Sequence, residues 1–524
     1  MKFKNNKVKN YLIFILLLIS SNIFSQNTYV VFLKDKSGSL FNPFSYFDAK
    51  AIERRMMLNK PLFDSTDFPV SNIYYDEILK NKIEITGHTR WFNAIFVNSN
   101  EKQIAEIKKL PYVKNVEELN MQVVLCSSNE NIEITTNQKT FLKNQTGHLQ
   151  GNLFRDAGYT GKGMRIAIFD GGFPGANTHP AFEHIRKLNR IIKTWDFTTN
   201  KENVYLANNH GTNVLSCIAG LLDSIPIGLA TDAEFLLART EVASEPFSEE
   251  KNWLEAVEWA DKNGAQIINS SLGYTDSRYF PWDMNGKKSL VARAANMAAS
   301  KGMLVVNAVG NEGSNRWKKI ITPADADSVL SVGGIDPETY YHINFSSYGP
   351  STDWRLKPNV SAFAHVIAAT PNNIHETDGT SFSSPLVAGF AACAWQTHPQ
   401  FNNMQLFKEI EKSALLYPYF DYAHGYGIPQ ASYFLAKTNQ VEKQPSVTID
   451  ITDDLLKIAA IVLPPKDALN KYLYFHIKDS KGHLKKYEVI EVYQNDVITL
   501  NISEFEKGDI LRIHYLGSTI EKQF

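Results

Sequence analysis

Apolar and polar positions change their period four times along the chain. The first pattern is a run of apolar residues at 11–19, preceded by Lys2, Lys4, Lys7 and Lys9 and followed by Ser20, Ser21 and Ser25. A basic, then apolar, then small-residue order predicts a secretory signal peptide over 1–25, cut after Ser25 to leave Gln26 first. The run falls well short of the ~20 residues a helix needs to cross a bilayer, so no transmembrane anchor is predicted. The alternative is an uncleaved anchor extending to Phe24. Over 26–125, strand-like runs at 29–33, 94–97 and 113–116 are interleaved with helix-like ones at 46–58 and 101–110, which predicts a small α+β domain. The next stretch, 126–150, is rich in Asn, Thr, Gln and Ser and reads as an exposed linker.

From 151 to 440 the pattern changes again. Continuous apolar runs at 165–169, 234–238, 266–270, 304–308 and 329–333 read as buried strands, and 251–263, 289–301 and the segments after His210 and Ser381 read as helices. This alternation predicts an α/β fold with a doubly wound parallel sheet covered on both faces. Ligand chemistry on such a sheet is expected at the carboxyl ends of its strands. The last zone, 446–524, is strand-like at 472–477, 487–492, 497–502 and 510–515, with turns at Asp479-Ser480-Lys481-Gly482 and Lys507-Gly508-Asp509, and predicts a small β-sandwich.

Composition narrows the function classes. In 524 residues, 54 basic and 55 acidic side chains give a net charge of −1, so the chain as a whole offers no electrostatic case for nucleic acid or an anionic membrane. Hydrophobic residues at 44% exclude a wholly disordered chain. The only cysteines, Cys126, Cys217 and Cys393, are too few for a disulfide framework. Cys217 and Cys393 fall in apolar helical patterns and read as small buried hydrophobes, with a catalytic thiol or a bridge as alternatives.

Chemistry gathers in the middle zone. Arg165-Ile-Ala-Ile-Phe169 runs into Asp170-Gly171-Gly172, placing a carboxylate at the end of a buried strand. Asn209-His210-Gly211-Thr212 opens an apolar helix with an imidazole that can face a carboxylate on one side and a nucleophile on the other. Gly379-Thr380-Ser381-Phe382-Ser383-Ser384-Pro385 carries a serine into the start of a helix, where the dipole favours developing negative charge. A serine hydroxyl needs a base within reach and a third group to orient that base, and His210 and Asp170 supply both. Val309-Gly310-Asn311-Glu312-Gly313 ends a strand with a neutral amide able to donate to an oxyanion. Taken singly, a capping carboxylate, a helix-start histidine, a Ser cap and a turn asparagine would explain each pattern.

Together, and in the order Asp, His, Asn, Ser, these patterns resemble the subtilisin-like serine proteases, the subtilases. The resemblance implies Ser381 as nucleophile, His210 as general base, Asp170 as its orienting partner, and Asn311 with the Ser381 backbone N–H as the oxyanion hole. It implies that Ser270, Ser271, Leu272 and Gly273 form the strand that pairs with extended substrate, Gly273 leaving room for backbone approach. The 26–125 domain resembles the family's propeptide, a folding assistant and inhibitor, with an ordinary accessory domain as the alternative. The 507–524 segment faintly resembles a C-terminal sorting sandwich of Bacteroidota, against a substrate-binding or stabilising domain. The departures are Gly171 where Ser or Thr is common, Asn213 in place of a second histidine, and Ala362-Phe363-Ala364 where Ala-Pro-Gly is frequent. The expectation is a secreted serine endopeptidase made as a zymogen, acting on protein or peptide substrates and inhibited by its own propeptide. The competing readings are a protease confined to self-processing and a binding scaffold. No cofactor is required for this chemistry; structural calcium is a family habit, but no acidic loop here has its ligand spacing, so none is assigned.

Overall fold

The computed structural model describes residues 27–119, 136–242, 248–275, 278–436, 445–464, 471–493 and 496–524. The segment read as a signal peptide and Cys126 lie outside these residues. The chain forms two compact units, one containing 27–41 and 63–119 and the other Asn42–Leu62 and everything from 136 onward.

In the smaller unit, β1 (Asn27–Leu33), β2 (Glu84–Thr89), β3 (Ala94–Ser99) and β4 (Val113–Leu119) form an antiparallel sheet in the order β2-β3-β1-β4. Between β1 and β2 the chain makes α1 (Pro43–Tyr46), α2 (Ala49–Met56) and α3 (Asn72–Lys80), and α4 (Glu101–Ile107) joins β3 to β4. Without α1 and α2, which belong to the larger unit, this is the β-α-β-β-α-β order of a split βαβ fold. Its core is the alternating inward set Val31, Ile95 and Val97 closed by Ile78 and Ile104 from the helices. Asn100 and Gln103 start α4 with a reciprocal capping box.

The larger unit is built on seven parallel strands: β5 (Arg165–Asp170), β6 (Ile191–Asp196), β7 (Glu234–Arg239), β8 (Ile267–Ser270), β9 (Leu304–Ala308), β10 (Val329–Ile335) and β11 (Val360–Phe363). Their order is β11-β10-β9-β8-β5-β7-β6. This is the doubly wound α/β sheet that the apolar runs predict. The two edge strands, β6 and β11, have no counterpart among those runs. The helices of this unit include α5 (Thr136–Gly147), α6 (His210–Ala219), α7 (Ser248–Lys262), α8 (Leu290–Ser300) and α9 (Thr380–Thr397).

The linker expected at 126–150 needs correcting. Residues 120–135 lie outside the described set, but 136–147 are α5, and Leu142 and Gln145 in it are fully buried. Gln145 donates to the carbonyls of Ile227 and Ile367 and accepts from the Ile367 N–H, so a polar side chain is satisfied inside the core. His148 stacks on Phe363 at 3.8 Å. The polar composition that reads as linker is partly this internal bridging.

After the sheet, β12 (Val447–Ile451), β13 (Leu455–Ala460), β14 (Tyr472–Lys478), β15 (Leu484–Glu491), β16 (Val497–Asn501), β17 (Ile510–Tyr515) and β18 (Ser518–Gln523) make two antiparallel sheets, β12-β13-β16 and β15-β14-β17-β18. They enclose Leu456, Phe475 and Leu511. Segment 416–422 is sealed against them: His476 Nδ1 bonds the Phe420 carbonyl at 2.6 Å, the Leu484 N–H donates to Tyr422 Oη at 3.3 Å, and Tyr419 stacks on His476 at 5.0 Å. Tyr419 is fully buried and donates to Asp421 Oδ2 at 3.0 Å. Tyr419→Ala is therefore expected to cost about 3–5 kcal/mol, read as a lower urea midpoint with one transition retained.

Candidate active site

Strand β5 lies between β8 and β7, and the chain winds away from it in both directions. The crevice at such a reversal, at the strands' carboxyl ends, is where a ligand fits. Asp170 closes β5 and is fully buried. Its two oxygens lie 2.9 and 3.0 Å from His210 Nδ1, and Oδ1 also accepts from the Gly171 N–H at 2.7 Å. The imidazole thus donates through Nδ1 and turns Nε2 away from the carboxylate. A Cβ on Gly211 would lie 2.4 Å from the Gly172 carbonyl and 2.9 Å from Asp170 Cβ, so only glycine lets the first turn of α6 approach β5 this closely. Burial by itself lowers the His210 pKa, but the Asp170 charge and hydrogen bond outweigh it, and the net direction is upward from 6.5.

Ser381 stands in the first turn of α9. Its hydroxyl donates to the Ser271 carbonyl at 3.2 Å, and Ser271 Oγ donates back to the Ser381 carbonyl at 2.7 Å. Phe382, the next residue, lies 5.5 Å from the His210 ring. Asn269 ties this corner together, donating to Ser271 Oγ at 3.1 Å and accepting from Ser384 Oγ at 2.9 Å. Asn311 is exposed after β9, and its Oδ1 accepts from both the N–H and the hydroxyl of Thr380 at 2.9 Å. That pair fixes the amide with its Nδ2 donor free of Thr380, next to Gly379.

The four residues expected to pair with substrate separate on inspection. Ser270 is inside β8, with its hydroxyl accepting from the Trp253 indole at 3.0 Å, so its side chain braces the core and does not face the cleft. Ser271 is locked to Ser381 as described. Leu272 is half-buried and Gly273 exposed. The room beside Gly273 is already filled from within the chain: a Cβ there would sit 2.0 Å from Ile321 Cδ1. Packing against Ile321 therefore accounts for that glycine.

Sequence reasoning missed the brace under Asp170. Arg239, at the end of β7, donates to the Gly171 carbonyl at 3.0 Å and to Asp196 Oδ2 at 2.9 Å, and the Thr240 N–H donates to the Asp170 carbonyl at 2.9 Å. An arginine closing the apolar run from Phe235 to Ala238 is the signal that could have found it. Also missed is an acidic cluster past Gly273. Tyr274 donates to Glu241 at 2.9 Å, Arg278 to Glu249 at 3.1 Å, and Tyr279 to both oxygens of Glu250 at 2.9 Å. Burial first, then the charge of Glu249, pushes Glu241 well above the usual carboxylate range. Burial also pushes Glu250 up to about 7. A carboxyl raised in the folded state binds its proton more tightly there, so its contribution to stability is whole below 4.5 and is lost as pH rises through about 7. Glu250→Gln is expected to flatten that fall, which is worth up to about 3 kcal/mol, when unfolding midpoints are compared at pH 5 and pH 8.

Cys217 and Cys393 are buried free thiols, and burial pushes Cys217 up to about 12. Among the described residues, no group of three or more His, Cys, Asp or Glu side chains is arranged to hold a metal ion, and no helix is long and apolar enough to cross a membrane.

Residues 161–427 match the Subtilase family, and residues 28–137 match the Peptidase S8 propeptide domain of Bacteroidota. The chain is 28% identical to a thermostable alkaline protease of Halalkalibacterium halodurans over 327 residues, covering 61% of this chain and 77% of the relative. It is 29% identical to subtilisin E of Bacillus subtilis over 344 residues, covering 65% and 80%. A crystal structure of an epidermin leader peptide processing serine protease from Staphylococcus aureus superposes with a TM-score of 0.56 at 15% identity, covering 79% of this chain and all of the other, which is a likeness of fold.

Proposed function

The chain belongs to the Subtilase family and is a serine endopeptidase carrying a propeptide, and on that premise we propose that it is exported as a zymogen and cuts peptide bonds with Ser381. On this reading the Ser381 hydroxyl turns from the Ser271 carbonyl to His210 Nε2 and attacks the scissile carbonyl as the imidazole takes its proton. Asp170 holds the Nδ1–H tautomer and stabilises the imidazolium. Asn311 Nδ2 and the Ser381 N–H donate to the oxyanion, and His210 then delivers its proton to the leaving amine. Water repeats the sequence on the acyl-enzyme. On this reading protein side chains and water carry every step, and no cofactor is called on.

The observation that supports this most directly is the pairing of His210 Nδ1 with both oxygens of a fully buried Asp170. Export is supported by the basic-apolar-small order of residues 1–25. A fluorophosphonate probe is expected to label the processed protein at Ser381, with hydrolysis of casein; absence of both overturns the reading. Labelling and self-processing without casein turnover would instead favour a protease confined to its own precursor. Asn311→Ala is expected to lower kcat by about 10²–10³, a scale measured on a subtilisin, with KM little changed. Steady-state kinetics on a peptide anilide checks it.

A further inference from the structure

Asp261 sits in the last turn of α7, with 2% of its surface exposed. A carboxylate at a helix C-terminus opposes the helix dipole, and a buried one needs a partner. Its partners come from far away in sequence. Arg54 and Arg55 of α2 each donate to one of its oxygens, the second at 2.6 Å, and both arginines are themselves less than 5% exposed. The same short segment supplies donors to carbonyls that α7, α8 and the strand entries leave open. The Asp48 N–H caps the Lys262 carbonyl at 2.9 Å, Arg54 Nε caps the Lys301 carbonyl at 3.1 Å, Arg54 Nη1 reaches Ala265, and Lys50 Nζ reaches Gly163. Asp48 also pairs with Arg165 at 3.2 Å. A Cβ on Gly302 would sit 3.2–3.4 Å from the Arg54 and Leu58 side chains, and one on Gly264 2.8 Å from Lys50 Cβ, so the receiving surface is cut to fit.

These contacts all lie at the amino ends of β5, β8 and β9. From Arg165 to Asp170 the strand climbs five residues, about 16 Å, so the clamp and the reacting groups are at opposite ends of the sheet. Yet residues 42–62 fall inside the segment that matches the propeptide family, while structurally they belong to the catalytic unit.

We infer that Asn42–Leu62, through Arg54 and Arg55 on Asp261, is the clamp that sets how tightly the pro segment is held on the catalytic unit once the chain between them has been cut. It rests on the identification of 28–137 as a propeptide. Loss of this clamp, and not scission alone, then governs release of the pro segment.

The test uses the full chain carrying Ser381→Ala, so that it does not depend on the protein's own proteolysis. A recognition sequence for a site-specific protease is inserted between Asn131 and Ile132, the chain is cut, and size exclusion is run at about 0.15 M salt. The two fragments are expected to co-elute. With Arg54→Met and Arg55→Met they are expected to separate, their dissociation constant at least ~100-fold higher, and Asp261→Asn is expected to act in the same direction from the other side. Separation of the parent fragments, or equal retention in parent and variants, overturns the inference. Should the variants unfold before cutting, amide exchange on the cut parent decides: protection across Ala49–Met56 equal to that of the uncut chain supports the clamp, and free exchange there overturns it. A failure of fluorophosphonate labelling would remove the assignment of Ser381 and leave this result standing.

Discussion

Ser381→Ala protein is expected to accumulate as an uncut precursor and to lose about 10⁶-fold in kcat, a scale measured when the nucleophile of a subtilisin is removed. The size of the effect follows from how little else in the cleft can attack. The hydroxyl of the neighbouring Ser271 is buried and donates to the Ser381 carbonyl. The Ala variant keeps that acceptor, because the bond is to backbone, so the first turn of α9 should stay in place. Intact mass of the secreted wild type beside the variant, together with turnover of a peptide anilide, checks both halves. Equal processing of the two would mean that another protease cuts the precursor.

Asp170→Asn is expected to lower kcat/KM by about 10⁴ and to move the acid limb of the pH profile downward. In the wild type the Asp170 charge and hydrogen bond carry the imidazole above 6.5 in spite of burial. Catalysis requires the neutral base, so activity should rise with pH through a midpoint above 6.5. Without the carboxylate, burial alone remains, and the midpoint of the residual activity should fall below 6.5. Stability moves with the same proton. A raised histidine contributes fully below 6.5 and loses that contribution as pH rises through its folded value, so the wild type should gain stability on acidification through this window and the variant should not. Rate profiles and unfolding midpoints over pH 5–9 would show the two shifts together.

The residues of the candidate site were legible in the sequence because each stands where an apolar run meets a turn: Asp170 at the end of β5, Asn311 after β9, and His210 and Ser381 at the starts of α6 and α9. Strand–helix alternation likewise gave the sheet its central members. The edges were not legible for a physical reason. Half of an edge strand's surroundings are not sheet, so Ile191–Asp196 carries Lys193 and Thr194 and shows no continuous apolar run. Val360–Phe363 is fully buried but only four residues long, too short for a periodic signal. The segment 136–150 misled through composition, since Gln145 does inside the core what water does for a linker. Ser270 misled through position: a strand residue's direction depends on the pleat, and the pleat turned it to Trp253. The Asp261 clamp could have been suspected, because an acidic residue in the last turn of a helix is a local conflict that calls for a cation from elsewhere.

The seam between 416–422 and the terminal sheets also sets an order of events. Leu416, Tyr419, Phe420 and Tyr422 are covered by Tyr474 and Leu484, residues synthesised more than fifty positions later. Until β14 and β15 have been made and have paired, segment 416–422 is without that cover. At roughly 5–20 residues per second, that interval lasts several seconds on the ribosome. The seam at 416–422 thus closes late, because the strands that cover it must first be made.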